Sequence, residues 1–158
     1  LGSKSDTYPD NLWEKTLAVN VSAPFRLTNL VAKSMKDNGS GSIINITSLN
    51  AELAFPKNPA YMASKGALKQ LTKSLAYDLG QYGIRANNIG PGYIKTAMTD
   101  KSWNDSKMHN ERRDRTILGR WGHPEDLIGA VIFLASNASS FVTGQDLYVD
   151  GGWLAKGL

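Results

Sequence analysis

Apolar positions along this chain alternate between helical and extended spacing. Leu12, Trp13, Leu17, Val21, Phe25 and Leu27 are carried by one helix, which Asp10 or Asn11 can cap. Asn38-Gly39-Ser40-Gly41, a cluster of chain breakers, is expected to end it. Ser42-Ile43-Ile44-Asn45-Ile46-Thr47 then reads as a short β-branched strand with Ser48 at its end. A loop with Pro56 and Pro59 leads to a second long helix, about Ala60 to Gln81. Its buried stripe is expected to be Leu68, Leu71, Leu75, Leu79 and Tyr82, and Gly83 stops it. Arg85 to Ile89 is the next strand, closed by Gly90-Pro91-Gly92. Thr96 to Arg120 is polar and only weakly periodic. His123-Pro124-Glu125-Asp126 opens a third helix, with proline in its first turn and acids at its positive end. That helix carries Leu127, Ile128, Val131, Ile132, Phe133 and Leu134. Leu147-Tyr148-Val149 is a last short strand, stopped by Asp150-Gly151-Gly152.

Strands that alternate with helices imply a parallel sheet with right-handed crossovers. Three strands make a small sheet for helices of this length. The expected fold class is therefore α/β, with half of a doubly wound parallel sheet and flanking helices. The outer side of the first strand is expected to want a neighbour.

Composition narrows the setting. The chain's 158 residues suffice for one domain with a real core. No run of eighteen apolar residues occurs, so no membrane span is expected. No charged-then-apolar leader is visible, and cysteine is absent, which excludes disulfides and thiolate metal sites. Cytoplasm is the default expectation. Eighteen basic and fourteen acidic residues give a net charge of +4. Apart from Glu111-Arg112-Arg113-Asp114-Arg115 the charges are scattered. That run reads as a solvated helix face rather than a nucleic-acid patch. His109 and His123 lack metal-ligand spacing, so no metal site is expected, and His123 reads as the residue that opens its helix.

The chemistry concentrates in Ser48, Tyr61 and Lys65. Residues four apart on a helix share a face, so Tyr61 and Lys65 sit one turn from each other. At about 100° per residue, Tyr61 falls inside the leucine stripe and Lys65 at its margin. A strand that ends at Ser48 places the hydroxyl at the carboxyl edge of the sheet, where open parallel sheets bind ligands. A nearby ammonium favours the ionised phenol. Free tyrosine titrates near 10, and bringing it near 7 takes roughly 4 kcal/mol, which a nearby cation supplies only in part. Hydrogen bonds or a positively charged cofactor ring would have to supply the rest. Tyr-x3-Lys by itself also fits an amphipathic pair that covers a helix start.

Asn20 adds to the constellation. Pro24, four residues on, has no N–H, so the Asn20 carbonyl loses its helical partner and is free to hold a water. A plain proline kink fits the same residues. Gly90-Pro91-Gly92-Tyr93-Ile94-Lys95-Thr96 follows a strand directly but lacks the third glycine of a phosphate loop. It reads as a turn that lets a flat ring approach the backbone. Thr96 can cap the next segment or bond a ligand.

Together, Asn20-Val21, Ser48, Tyr61-x3-Lys65, Pro91-Gly92-x3-Thr96 and Val149-Asp150-Gly151-Gly152 resemble the short-chain dehydrogenase/reductase family in order and spacing. Ser48-x3-Glu52-Leu53, Arg120-Trp121-Gly122-x-Pro124 and Val149-Asp150-Gly151-Gly152-Trp153-Leu154 are similar to gluconate 5-dehydrogenases and related sugar-acid or polyol dehydrogenases. The resemblance implies an NAD(P)-dependent oxidoreductase that interconverts a secondary alcohol and a ketone. It makes Tyr61 the acid/base, Ser48 the group that positions the substrate oxygen, and Asn20 the holder of a relay water. Lys65 would lower the Tyr61 pKa and bond the nicotinamide ribose. Tyr61, Lys65, Pro91, Gly92, Ile94 and Thr96 would contact NAD or NADP, and Ala97 to about Leu118 would be a substrate lid. It also implies a homo-oligomer, a dimer or tetramer, with a sugar acid or polyol as substrate and no nucleic-acid or membrane partner.

The family's opening strand, glycine-rich turn and helix have no counterpart here. Residues 1–158 are therefore expected to be the carboxyl-terminal portion of a single Rossmann-like domain, without the amino-terminal half of the cofactor domain. Alone, they are expected to bind nicotinamide cofactor negligibly, because the pyrophosphate sits on that helix N-terminus. Two other readings stay open: a cofactor-free oligomerisation remnant without activity, and a 3-oxoacyl thioester reductase.

Overall fold

The computed structural model describes residues 4–157. Its regular elements are α1 (Asp10–Leu17), α2 (Ala23–Asp37), β1 (Gly41–Ile46), α3 (Pro59–Gly80), β2 (Ile84–Pro91), α4 (Asp100–Asn104), α5 (Ser106–Arg115), α6 (Ile128–Ala135) and β3 (Asp146–Val149). The sheet runs β1-β2-β3 with both pairs parallel. The register aligns Ile46 with Ile89 and Pro91 with Val149. All carboxyl ends therefore meet at one edge, where Ser48, Gly92 and Asp150 follow the strands. Among the described residues the outer side of β1 carries no strand partner.

The central strand β2 is buried almost throughout, and its core partners are Leu75, Ala76 and Leu79 of α3, with Met35, Ile43 and Leu71 packed around them. Tyr82 departs from the expected stripe. It lies past the end of α3, half exposed, with the Lys36 ammonium 4.4 Å from its ring centroid. A polar chain crosses the buried layer between α3 and the sheet. Asn45 Nδ2 donates to Thr72 Oγ1 (2.8 Å), Thr72 Oγ1 donates to Asn88 Oδ1 (2.7 Å), and Asn88 Nδ2 donates to Asp146 Oδ1 (2.7 Å).

The first helix is not continuous. Ala18–Ser22 form a π-helical turn between α1 and α2, and the Ala23 N–H reaches back to the Ala18 carbonyl. Pro24 lies in the first turn of α2, where its missing N–H costs least. The expected cap also differs, since Pro9 precedes the helix and Asp10 belongs to its first turn. The third helix opens with a 3₁₀ turn, Pro124–Leu127, before α6. The His123 N–H donates to Asp126 Oδ2 at 2.8 Å, which fixes that start.

The polar stretch after Thr96 holds two helices, α4 and α5, that its weak periodicity does not reveal. Asp105 caps α5 by accepting the Met108 N–H at 2.9 Å. Aromatic rings supply the packing that an apolar stripe would otherwise provide. Trp103 and Trp121 lie 5.3 Å apart, His109 stacks on Trp121 at 5.5 Å, and Trp121 Nε1 donates to the His109 carbonyl. No helix among the described residues is long and apolar enough to cross a membrane.

Candidate active site

Ser48 leaves β1 in an extended conformation and begins a 3₁₀ turn, Leu49–Ala51. Its hydroxyl donates to Asn50 Oδ1 and accepts the Asn50 N–H, both at 3.2 Å. This local pair fixes the oxygen's direction. Tyr61 stands in the first turn of α3 and lines the same cavity as Ser48. Burial, the largest influence, pushes the Tyr61 phenol above its ordinary value, and the neighbouring Ser48 hydroxyl opposes that rise.

Lys65 is one turn further along α3 and buried. Its ammonium donates to the Ile46 carbonyl at 2.7 Å and lies 5.5 Å from the Tyr61 ring centroid. Burial pushes Lys65 below its ordinary value. The lowering of Tyr61 expected from Lys65 is therefore not seen. The cation is tied to a backbone carbonyl, and desolvation governs the phenol. An ammonium has three N–H donors, and Lys65 uses one among the described residues, so it can still bind a hydroxyl-bearing ligand.

Ser48, Tyr61 and Lys65 line one cavity of about 280 Å³ together with Pro91, Gly92, Ile94 and Thr96. The sequence singled out every one of these seven. Asn20 is apart from that lining. Its Nδ2 donates to Ser64 Oγ at 3.0 Å, and Ser64 Oγ donates to the Tyr61 carbonyl at 2.8 Å. Asn20 thus joins the π-helical turn to the base of the Tyr61 turn. π-Helical turns of this kind are frequent at functional sites.

The glycine-proline-glycine turn serves closeness of approach. A Cβ on Gly90 would stand 2.3 Å from the Tyr148 ring, and one on Gly92 would stand 2.7 Å from the Asp150 Cα. The ring that approaches the backbone at Gly90 is thus the protein's own. Thr96 does not cap α4. Its N–H donates to Thr99 Oγ1 at 3.0 Å, which leaves its own hydroxyl at the cavity wall.

A second cleft of about 390 Å³ opens from Ser48 and Tyr61 toward α5. Asn50, Tyr93, Thr99 and Arg112 also line it. Arg112 was not expected there, because its run of charges reads as a solvated face. Arg113 and Asp114 do face solvent, whereas the Arg112 side chain is only 22% exposed and turns inward. Positions four apart share a helix face, so the spacing from Met108 to Arg112 was the available signal.

A family model described as enoyl-(acyl carrier protein) reductase matches residues 2–154. The chain belongs to the short-chain dehydrogenase/reductase family. Gluconate 5-dehydrogenase of Gluconobacter oxydans is 46% identical over 140 residues, which is 89% of this chain and 55% of that protein. The 5-keto-D-gluconate 5-reductase of Escherichia coli K12 is 42% identical, over 93% of this chain and 58% of its own length. A crystal structure of gluconate 5-dehydrogenase from Burkholderia cenocepacia, in complex with NADP and tartrate, superposes with a TM-score of 0.97 at 40% identity. That match covers 99% of this chain and 62% of the other. The chain thus spans little more than half the length of the curated relatives it matches. The short-chain dehydrogenase fold accounts for the shared edge at which Ser48, Tyr61 and Lys65 meet.

Proposed function

We propose that this chain carries the catalytic half of an NAD(P)-dependent dehydrogenase that acts on a sugar acid. One observation carries the reading: Ser48, Tyr61 and Lys65 line one cavity at the carboxyl edge of a parallel sheet. A nicotinamide ring bound beside them supplies the hydride acceptor or donor. Tyr61 takes the hydroxyl proton during alcohol oxidation and returns it during ketone reduction. Ser48, fixed by Asn50, holds the reacting oxygen within reach of the phenol. Lys65 offers its remaining N–H donors to the cofactor's ribose hydroxyls. Ile94, Thr96, Pro91 and Gly92 form the wall against which the ring lies. In the same reading, the Asn20 carbonyl holds the water that passes the proton onward.

The relatives named for gluconate and 5-keto-gluconate support a sugar-acid substrate, and the bound tartrate of the Burkholderia enzyme is likewise a hydroxy acid. The description of the family model names an acyl carrier protein reductase, which keeps a thioester substrate as the competing reading. A panel of sugar acids, polyols and acyl thioesters separates the two. The same proposal includes assembly as a dimer or tetramer, supported by apolar residues exposed on α2. It also includes a cytoplasmic setting, in line with a chain that carries no cysteine.

The protein expressed from its complete gene, with Tyr61 replaced by Phe, tests the acid/base role. Cofactor reduction with a sugar acid is expected to fall about 10²- to 10⁴-fold, while cofactor affinity stays near that of the parent. Undiminished turnover would remove Tyr61 from the mechanism.

A further inference from the structure

We infer that Arg112 is the anchor for the substrate's carboxylate, and so the residue that selects acids over neutral polyols. The inference rests on the dehydrogenase reading above. Arg112 lines the same cleft as Ser48 and Tyr61, and it is the only charged side chain among the cleft's described lining residues. Its guanidinium carbon lies 5.1 Å from the Tyr93 ring centroid, a cation–π contact that holds the group at the cleft. Its protein partners leave most of its donors unused. Nη1 reaches the Met108 carbonyl at 3.3 Å and the Glu111 carboxylate at 3.5 Å, both weak contacts. Nη2 makes no hydrogen bond among the described residues, whereas Nε is sealed within the protein.

A largely buried cation in a cleft lined by no carboxylate, with only a long ion pair to Glu111 and a free Nη2, is matched by an anion. A planar guanidinium recognises a carboxylate with paired hydrogen bonds. The reacting hydroxyl then points back to Ser48 and Tyr61, while Asn50 and Thr99 face the hydroxyls between. A polyol of the same length would leave Arg112 unmatched.

The test uses the protein from its complete gene, in a Tyr61→Phe background that slows turnover, with cofactor bound. Dissociation constants for gluconate and for the neutral hexitol sorbitol are measured by NMR titration. Arg112→Met is expected to weaken gluconate binding roughly 10- to 100-fold and to leave sorbitol within about twofold. Arg112→Lys should recover part of the gluconate affinity, because it keeps the charge and loses the paired geometry. Unchanged sorbitol binding shows that the cleft has kept its shape. The proposal is overturned if Arg112→Met binds gluconate as tightly as the parent, if both ligands weaken alike, or if the parent binds no gluconate. Turnover is read separately with Tyr61 intact. An acid-selective, Arg112-dependent binding pattern without turnover would end the dehydrogenase reading and sustain the anchor.

Discussion

Tyr61 is held between opposing influences, and their balance sets a pH dependence. Burial raises the phenol, and the Ser48 hydroxyl lowers it by less. Oxidation needs the ionised phenol as base, whereas reduction needs the neutral phenol as acid. A raised value makes the neutral form dominant at neutral pH and confines the base form to alkaline solution. Sugar-acid oxidation is therefore expected to climb as pH rises above neutrality, with ketone reduction fastest at lower pH. Profiles of kcat in both directions check the order, and an oxidation optimum at or below that of reduction would contradict it. The residue pair itself was legible in the sequence, because spacing of four on a helix and a strand-end serine are local signals. The sign of the Tyr61 shift was not. It depends on how deeply the ring is covered, which a spacing does not reveal. Arg112 was hidden for a related reason, since a run of charges looks the same whether or not the helix turns one of them inward.

At the scale of elements, the buried chain through Asn45, Thr72 and Asn88 ties α3 to the sheet. Thr72 is the junction, because its hydroxyl accepts from Asn45 and donates to Asn88. Thr72→Val keeps the shape but strands a buried amide donor and a buried acceptor. The expected loss is about 1–3 kcal/mol, read as a lower urea midpoint with an unchanged slope. A midpoint equal to that of the parent would mean the two asparagines find other partners. Gly90→Ala tests the next layer. The added methyl would enter the Tyr148 ring, and overpacking of this kind costs about 1–3 kcal/mol, again read from the urea midpoint. The strand β1 was legible from a β-branched run, and the long α3 from a leucine stripe. The π-helical turn was foreshadowed only by Pro24, which marks where the helical ladder fails but not how the chain absorbs the failure. The helices α4 and α5 were not legible, because stacked tryptophans and His109 hold them instead of a periodic apolar face.

For the whole molecule, the alternation of patterns correctly implied a parallel sheet, and the carboxyl edge gathered the candidate site as the topology requires. What the pattern could not say is which apolar faces this chain covers by itself. Leu30 of α2 is 77% exposed, Ile132 of α6 is 61% exposed and Tyr77 of α3 is 88% exposed. Burial needs a surface opposite, and these faces have none within the described residues. Monomeric soluble proteins seldom expose contiguous apolar patches beyond a few hundred Å². The isolated 158-residue chain is therefore expected to associate in solution. Light scattering should report a mass well above 17.2 kDa that rises with concentration. Leu30→Lys and Ile132→Lys together should lower that mass, because each replaces an apolar contact with a solvated charge. The stability of the core should barely change, since neither side chain belongs to the Leu75, Ala76, Leu79 and Ile84 cluster. A parent chain that stays monomeric across the concentration range would mean that these faces are tolerated in water, and that covering them is no part of how this molecule is built.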